Sequence, residues 1–180
     1  MKILAAFFIS LLIMGACSTT DKALRQQEKQ LREQADSLQA AAAMQALEKQ
    51  QFMVLVDRIS FRHGGTYPVQ SNINYVYVNG DKGSVQLASP VAAPGPNGIG
   101  GLTFTGGVRN FKFRTDKKGN ATATCMVSGY GRTANISIKL RKGDTRAHID
   151  IDAGAGNMAM SADGTLTVYD PSLIVRGYPD

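Results

Sequence analysis

No glutamate follows Glu48 in this 180-residue chain. A glycosidase-like carboxylate pair beyond that point would have to be built from aspartates alone. Histidine and cysteine occur twice each. A nucleophilic cysteine needs an imidazole beside it, and spacing places neither His63 nor His148 next to Cys125. Gly-x-Ser-x-Gly and His-Glu-x-x-His are both missing, which removes two familiar hydrolase signatures. Gly154-Ala155-Gly156-Asn157 is no nucleotide fingerprint, because no helix-forming segment follows to cradle a phosphate; it reads as a turn. The one strongly apolar run, Ile3 to Met14, is short. At about 1.5 Å per residue it reaches roughly 18 Å, against a ~30 Å hydrocarbon core.

What is present begins with that run. Lys2 gives it a basic front, and Gly15 and Ala16 give it small residues behind, so residues 1–16 read as a cleaved secretory signal. Met14-Gly15-Ala16-Cys17 is similar to a bacterial lipobox, with Met14 in place of the usual leucine. The similarity implies acyl chains on Cys17 and hence a stable membrane anchor. Ser18 carries no retention signal for the inner membrane, so the outer membrane is the expected address. With Cys17 lipidated, Cys125 has no partner for a disulfide. With Ala121, Ala123 and Val127 it alternates with Thr122, Thr124, Met126 and Ser128, on the apolar side of a strand, which predicts a buried, inert thiol.

Residues 17–50 are expected to form a lipidated N-terminus and helical stalk. Asp21 to Gln50 has no glycine, proline or aromatic residue and is rich in good helix formers. Leu24, Leu31 and Leu38 recur every seven residues, with Ala35 and Ala42 beside them and Glu28 interrupting. The pattern fits a single amphipathic helix, docked on its own domain or left as a spacer, better than a sustained coiled coil. A helix of about 30 residues spans about 45 Å. Asp36-Ser37-Leu38 resembles a short bacterial O-glycosylation tripeptide.

From Phe52 the apolar period changes to two, and residues 51–180 are expected to form an antiparallel β-domain. Pairing Leu140 with Ala147, Ile138 with Ile149 and Ile136 with Ile151 leaves Gly143-Asp144 as a two-residue loop. Phe113 pairs with Ala123 and Phe111 with Cys125 across Lys117-Lys118-Gly119. Val127 pairs with Ala134 across Gly129 to Arg132, and Val78 with Val85 across Asn79 to Ser84. Further strands are expected at Phe52 to Phe61, Leu102 to Thr105, Met158 to Ser161 and Thr165 to Tyr169. The fold class is therefore mainly β: a meander of about nine antiparallel strands, closed into a sandwich or curled barrel-like sheet, after one N-terminal helix.

Phe52 to Arg58, the approach to the Tyr75–Asp81 hairpin and above all Gly100-Gly101-Leu102-Thr103-Phe104-Thr105-Gly106 resemble the domain of unknown function 4251. The Phe111-Lys112-Phe113 strand and those after it continue the resemblance, over roughly Leu47 to Val168. Leu87 stands apart from Pro90 where the family has Leu-Pro, and Asp163-Gly164 replaces Tyr-Gly. The resemblance implies a β-rich fold in secreted or lipid-anchored proteins of Bacteroides-like bacteria, and no known activity.

His148, Asp150 and Asp152 share one strand face. They could hold a hard cation, but the register places Lys139 opposite His148 and Ser137 opposite Asp150. A cation beside the trio favours cross-strand ion pairing over a metal. Ala88 to Gly101, with three prolines, is a recognition loop or a covalent crossover. The net charge of +6 comes from scattered residues and reads as solubility rather than polyanion binding. The expected protein is a non-enzymatic cell-envelope lipoprotein, with an envelope hydrolase or helix-mediated assembly as alternatives. Its expected partners are the membrane, through Cys17, and an envelope protein or small ligand. Nucleic acid and cofactors are not expected, and no catalytic or metal-binding residue is assigned.

Overall fold

The computed structural model describes residues 17–62, 64–88, 101–129, 131–154 and 158–176. The signal segment, His63, most of the Ala88–Gly101 loop and Ala155 to Asn157 lie outside these residues. Helix α1 spans Cys17–Glu48. Nine strands follow: β1 Gln51–Phe61, β2 Thr66–Pro68, β3 Tyr75–Asn79, β4 Lys82–Leu87, β5 Leu102–Thr115, β6 Ala121–Gly129, β7 Arg132–Leu140, β8 Arg146–Ala153 and β9 Met158–Val168. A short 3-10 turn, Pro171–Leu173, closes the described chain.

Every strand pair is antiparallel, in the order β2-β1-β3-β4-β5-β6-β7-β8-β9. β1 also pairs with β9, from Phe52 opposite Val168 to Phe61 opposite Met160. That pairing closes β1 and β3 to β9 into an eight-stranded barrel, with β2 flanking the far half of β1. Closure removes the open edges that a nine-stranded meander would otherwise expose.

The apolar alternation decides which face turns inward. Phe52, Val54, Val76, Val85, Phe104, Ala123, Ile138, Ile149 and Ala162 belong to one interior cluster, all but free of solvent. Bulky Phe, Ile and Leu stand among Ala121, Ala134 and Ala147, so large side chains fill the space that small ones leave. Ala43, Ala46 and Leu47 of α1 join the same cluster. The chain divides into two compact units, residues 1–38 and 39–180, so the last turns of α1 belong with the barrel. In the first unit Leu24, Leu31 and Leu38 are exposed.

Glycine allows the strands to bend. A Cβ on Gly164 of β9 would sit 2.3 Å from the Leu55 carbonyl oxygen, beside the β1 bulge between Val56 and Arg58. Long strands at a barrel corner need such a glycine or bulge. Gly106 on β5 plays the same part against β6. Hence β5 and β9 each run unbroken where the sequence reads as two short strands. Asn110, at φ 54°, marks a second bulge between Arg109 and Lys112. That bulge removes the expected pairing of Phe111 with Cys125; Phe113 does pair with Ala123.

The β7–β8 register is as expected at all three pairs, from Leu140 opposite Ala147 to Ile136 opposite Ile151. Its loop is Arg141 to Thr145, with Asp144 N–H donating to the Arg141 carbonyl and Gly143 at φ 76°; Gly143 is thus the second central residue of the turn, not the first. Val127 pairs with Ala134, but Gly129 and Arg132 also pair, which shortens that loop. One hairpin differs in register. Val78 opposes Gly83 and Val76 opposes Val85. Tyr75 to Val78 is buried on both faces, so alternation could not set the register there. Gly80 at φ 62° permits a tight turn instead of the longer loop.

Candidate functional site

The outer face of the barrel has two different halves. On the first half of β1 and on β3 it is apolar and covered, with the buried polar side chains of Ser84 and Gln86 on β4 beside it. Met53, Tyr75 and Tyr77 form a second buried cluster, packed by Leu55, Tyr169 and Ile174. The segment after β9 straps across it. Val175 N–H donates to the Asn72 carbonyl at 2.8 Å, and Gln86 Nε2 donates to the Val175 carbonyl at 2.8 Å. The Arg176 guanidinium lies 5.8 Å from the Tyr77 ring centre, a cation–π distance. Tyr75 OH donates to Gln86 Oε1 at 2.9 Å, and burial pushes its pKa up to about 12. Burial raises Tyr77 as well. Tyr75 is thus a structural donor, and burial keeps both phenols protonated at neutral pH.

The other half of the outer face is polar and holds a recess of about 910 Å³. One register row crosses six strands through it: Ser60, Ser161, Asp150, Ser137, Thr124 and Lys112. The next outward row adds Ala159, Asp152, Asn135 and Met126, with Arg62 at the β1 end. Between them runs the row of Met160, Ile151, Ile136 and Cys125, whose side chains are buried in the barrel cluster. Strand alternation thus makes a hydroxyl- and carboxylate-bearing shelf over an apolar interior.

Beside the shelf, ion pairs run across the strands. Lys139 Nζ lies 2.8 Å from Asp150 Oδ2. His148 stands between two carboxylates, with Nδ1 2.8 Å from Asp163 Oδ1 and Nε2 3.3 Å from Asp150 Oδ1. The hydrogen bond from Lys139 holds the Asp150 carboxyl below its ordinary range, with charge from Lys139 and His148 adding to it. Arg146 grips Asp57, at the β1 bulge, through both oxygens. That hydrogen bonding lowers Asp57 and raises Arg146.

The trio His148, Asp150 and Asp152 divides accordingly. Asp150 and His148 are tied into the ion-pair chain, while Asp152 points into the recess region. Among the described residues no group of three His, Cys, Asp or Glu is placed to hold a metal ion. Both ring nitrogens of His148 face carboxylates, Nδ1 that of Asp163 and Nε2 that of Asp150. Cys125 is buried, and burial pushes its thiol up to about 11. Cys17 is the first residue of α1, and no described helix is long and apolar enough to cross a membrane. The recess was not evident from the sequence, because its row draws on six strands separated along the chain. The clue available was the run of Ser, Thr, Asn and Asp at alternate positions.

These features define a closed antiparallel β-barrel with an N-terminal helix, an apolar interior and a polar outer shelf. The family model described as domain of unknown function (DUF4251) matches residues 34–166, and the chain belongs to that family. It is similar to the crystal structure of a DUF4251 family protein from Bacteroides eggerthii DSM 20697: 38% identity over 76% of this chain and 91% of that one, with a TM-score of 0.66. No curated protein matches the chain. The glycine-flanked strand that carried the resemblance begins β5. Leu102 and Phe104 face the core, and Gly106 sits at the crossing with β6.

Proposed function

We propose that this protein is a lipid-anchored component of the cell envelope, held at the outer membrane through acylated Cys17, whose barrel is a non-enzymatic binding module. The observation that carries the binding role is the shelf on the polar outer face. Ser60, Ser161, Ser137 and Thr124 line up across four strands beside a recess of about 910 Å³, while the barrel interior is filled by its own side chains. A ligand is therefore taken on the outside. Hydroxyls and carboxylates in a row suit a polar ligand, such as an extended peptide segment or a small hydroxylated molecule, better than a lipid tail.

The anchor is supported by Met14-Gly15-Ala16-Cys17 behind a short apolar run. Two measurements test the proposal. Cys17→Ala removes metabolic acyl labelling and frees the protein from the membrane fraction; labelling that persists contradicts the anchor. Ser137→Trp fills the shelf. An envelope-derived compound that raises the melting temperature of the native protein then fails to raise that of the variant. Equal stabilisation of both contradicts binding at the shelf.

A further inference from the structure

Two hairpin turns meet at the barrel end where β1 begins. Asp116 to Asn120 links β5 to β6, and Arg141 to Thr145 links β7 to β8. They are fixed to one another. Asn120 Oδ1 accepts the Lys142 N–H at 3.2 Å, and the aliphatic stem of Lys142 rests over Gly119, where a Cβ would lie 2.8 Å from its Cδ. Lys117, Lys118, Arg141 and Lys142 are all exposed.

The two acids of these turns face inward to the backbone. Asp116 Oδ1 accepts from Lys118 N and Asn120 N at 2.8 and 2.9 Å, and its Oδ2 accepts from Asn120 Nδ2 at 2.8 Å. Asp144 Oδ1 accepts from Arg146 N at 2.8 Å. The neighbouring cations Lys139 and Arg146 are matched by Asp150 and Asp57. None of the four tip cations has a carboxylate within ion-pair distance among the described residues.

We propose that this four-cation tip docks on the anionic headgroups of a lipid bilayer. The tip offers point charges on long stems, carried by two turns bonded to one another, and neither turn contains an aromatic residue to stack a sugar or base. That form suits a surface of diffuse negative charge, where each basic residue strengthens attachment by roughly fivefold. The role rests on the proposed anchor at Cys17, since acyl chains and a basic patch together make a stable attachment.

The test uses the full chain carrying Cys17→Ala, so that no acyl group contributes. Co-sedimentation is measured with vesicles of phosphatidylcholine alone and of phosphatidylcholine mixed with phosphatidylglycerol. The wild-type tip favours the mixed vesicles at low salt and loses the preference at high salt. Lys117→Gln, Lys118→Gln, Arg141→Gln and Lys142→Gln together weaken that binding by roughly 600-fold, about fivefold for each charge removed. The same four positions as arginine, with Arg141 kept, retain it. Both proteins share residues 1–16, so their difference reports the tip. Equal binding by the wild-type and glutamine tips overturns the proposal. Failure of the anchor is read separately, as missing acyl labelling of the unsubstituted chain.

Discussion

Gly106 and Gly129 cross so closely that a Cβ on Gly129 would lie 2.9 Å from the Gly106 Cα and 2.1 Å from the Thr105 carbonyl oxygen. On the other side, a Cβ on Gly106 would lie 1.9 Å from the Ser128 oxygen. Backbone, not a flexible side chain, occupies the space at both positions. β5 leaves β4 and continues along β6 through this point. Neither glycine is needed for a left-handed conformation; what each provides is the absence of a side chain.

Alanine at either glycine therefore forces the two strands apart. Gly106→Ala and Gly129→Ala are each expected to cost at least ~2 kcal/mol, the upper part of the overpacking range. Gly80→Ala, at a turn with open space around it, costs about 1 kcal/mol through its positive φ alone. Urea unfolding midpoints of the three variants check the order. A Gly80 variant less stable than the other two would refute the crossing.

Leu47 and Leu31 lie on one helix and differ in exposure, at 0% and 58%. Leu47→Ala opens a cavity beneath the end of α1 and is expected to cost about 2–5 kcal/mol. Leu31→Ala changes barrel unfolding by less than about 0.5 kcal/mol. Thermal melts of the barrel signal distinguish them, and equal shifts would refute the assignment of Leu47 to the core.

The Cys125 thiol, held up near 11 by burial, stays protonated in neutral and mildly alkaline solution. In a Cys17→Ala background, thiol reagents leave the folded protein unmodified and label it once in strong denaturant. Labelling of the folded chain at the denatured rate would show that the strand turns this residue outward.

Acid removes two of the cross-strand ion pairs. Asp57 and Asp150 have folded-state pKa values below their ordinary 3.8 because of hydrogen bonds from Arg146 and Lys139. The stability they contribute is present above that ordinary value and is lost as pH falls through the lowered folded values. The carboxylates are 42% and 47% exposed, so solvent screening limits each to roughly 0.5 kcal/mol. Asp57→Asn should flatten the decline in urea midpoint below pH ~4 by about that amount. An unchanged pH profile would contradict the pairing.

The β6–β7–β8 part of the barrel was legible because Ala and Ile alternate there with polar residues, and only one register buries them all. For the same reason Lys139, His148 and Asp150 could be placed as an ion-pairing set. Tyr75 to Val78 was illegible in register, since both of its faces are buried. β2 was missed: Thr66–Pro68 is three residues long and ends on proline, so it has no period to read. Asp163-Gly164 and Gly106-Gly107 looked like breaks, whereas glycine there lets a strand cross its neighbour. The covering of Tyr77 by the Tyr169–Arg176 segment depends on contacts far apart in sequence, as does the recess at Ser137. Neither leaves a local signal.

Mass spectrometry of the protein extracted from envelope membranes tests the central claim most directly. The expected species is a chain beginning at Cys17, with a diacylglyceryl group on its sulfur and an acyl group on its amine. A chain carrying an unmodified thiol at Cys17, or beginning elsewhere, would contradict it.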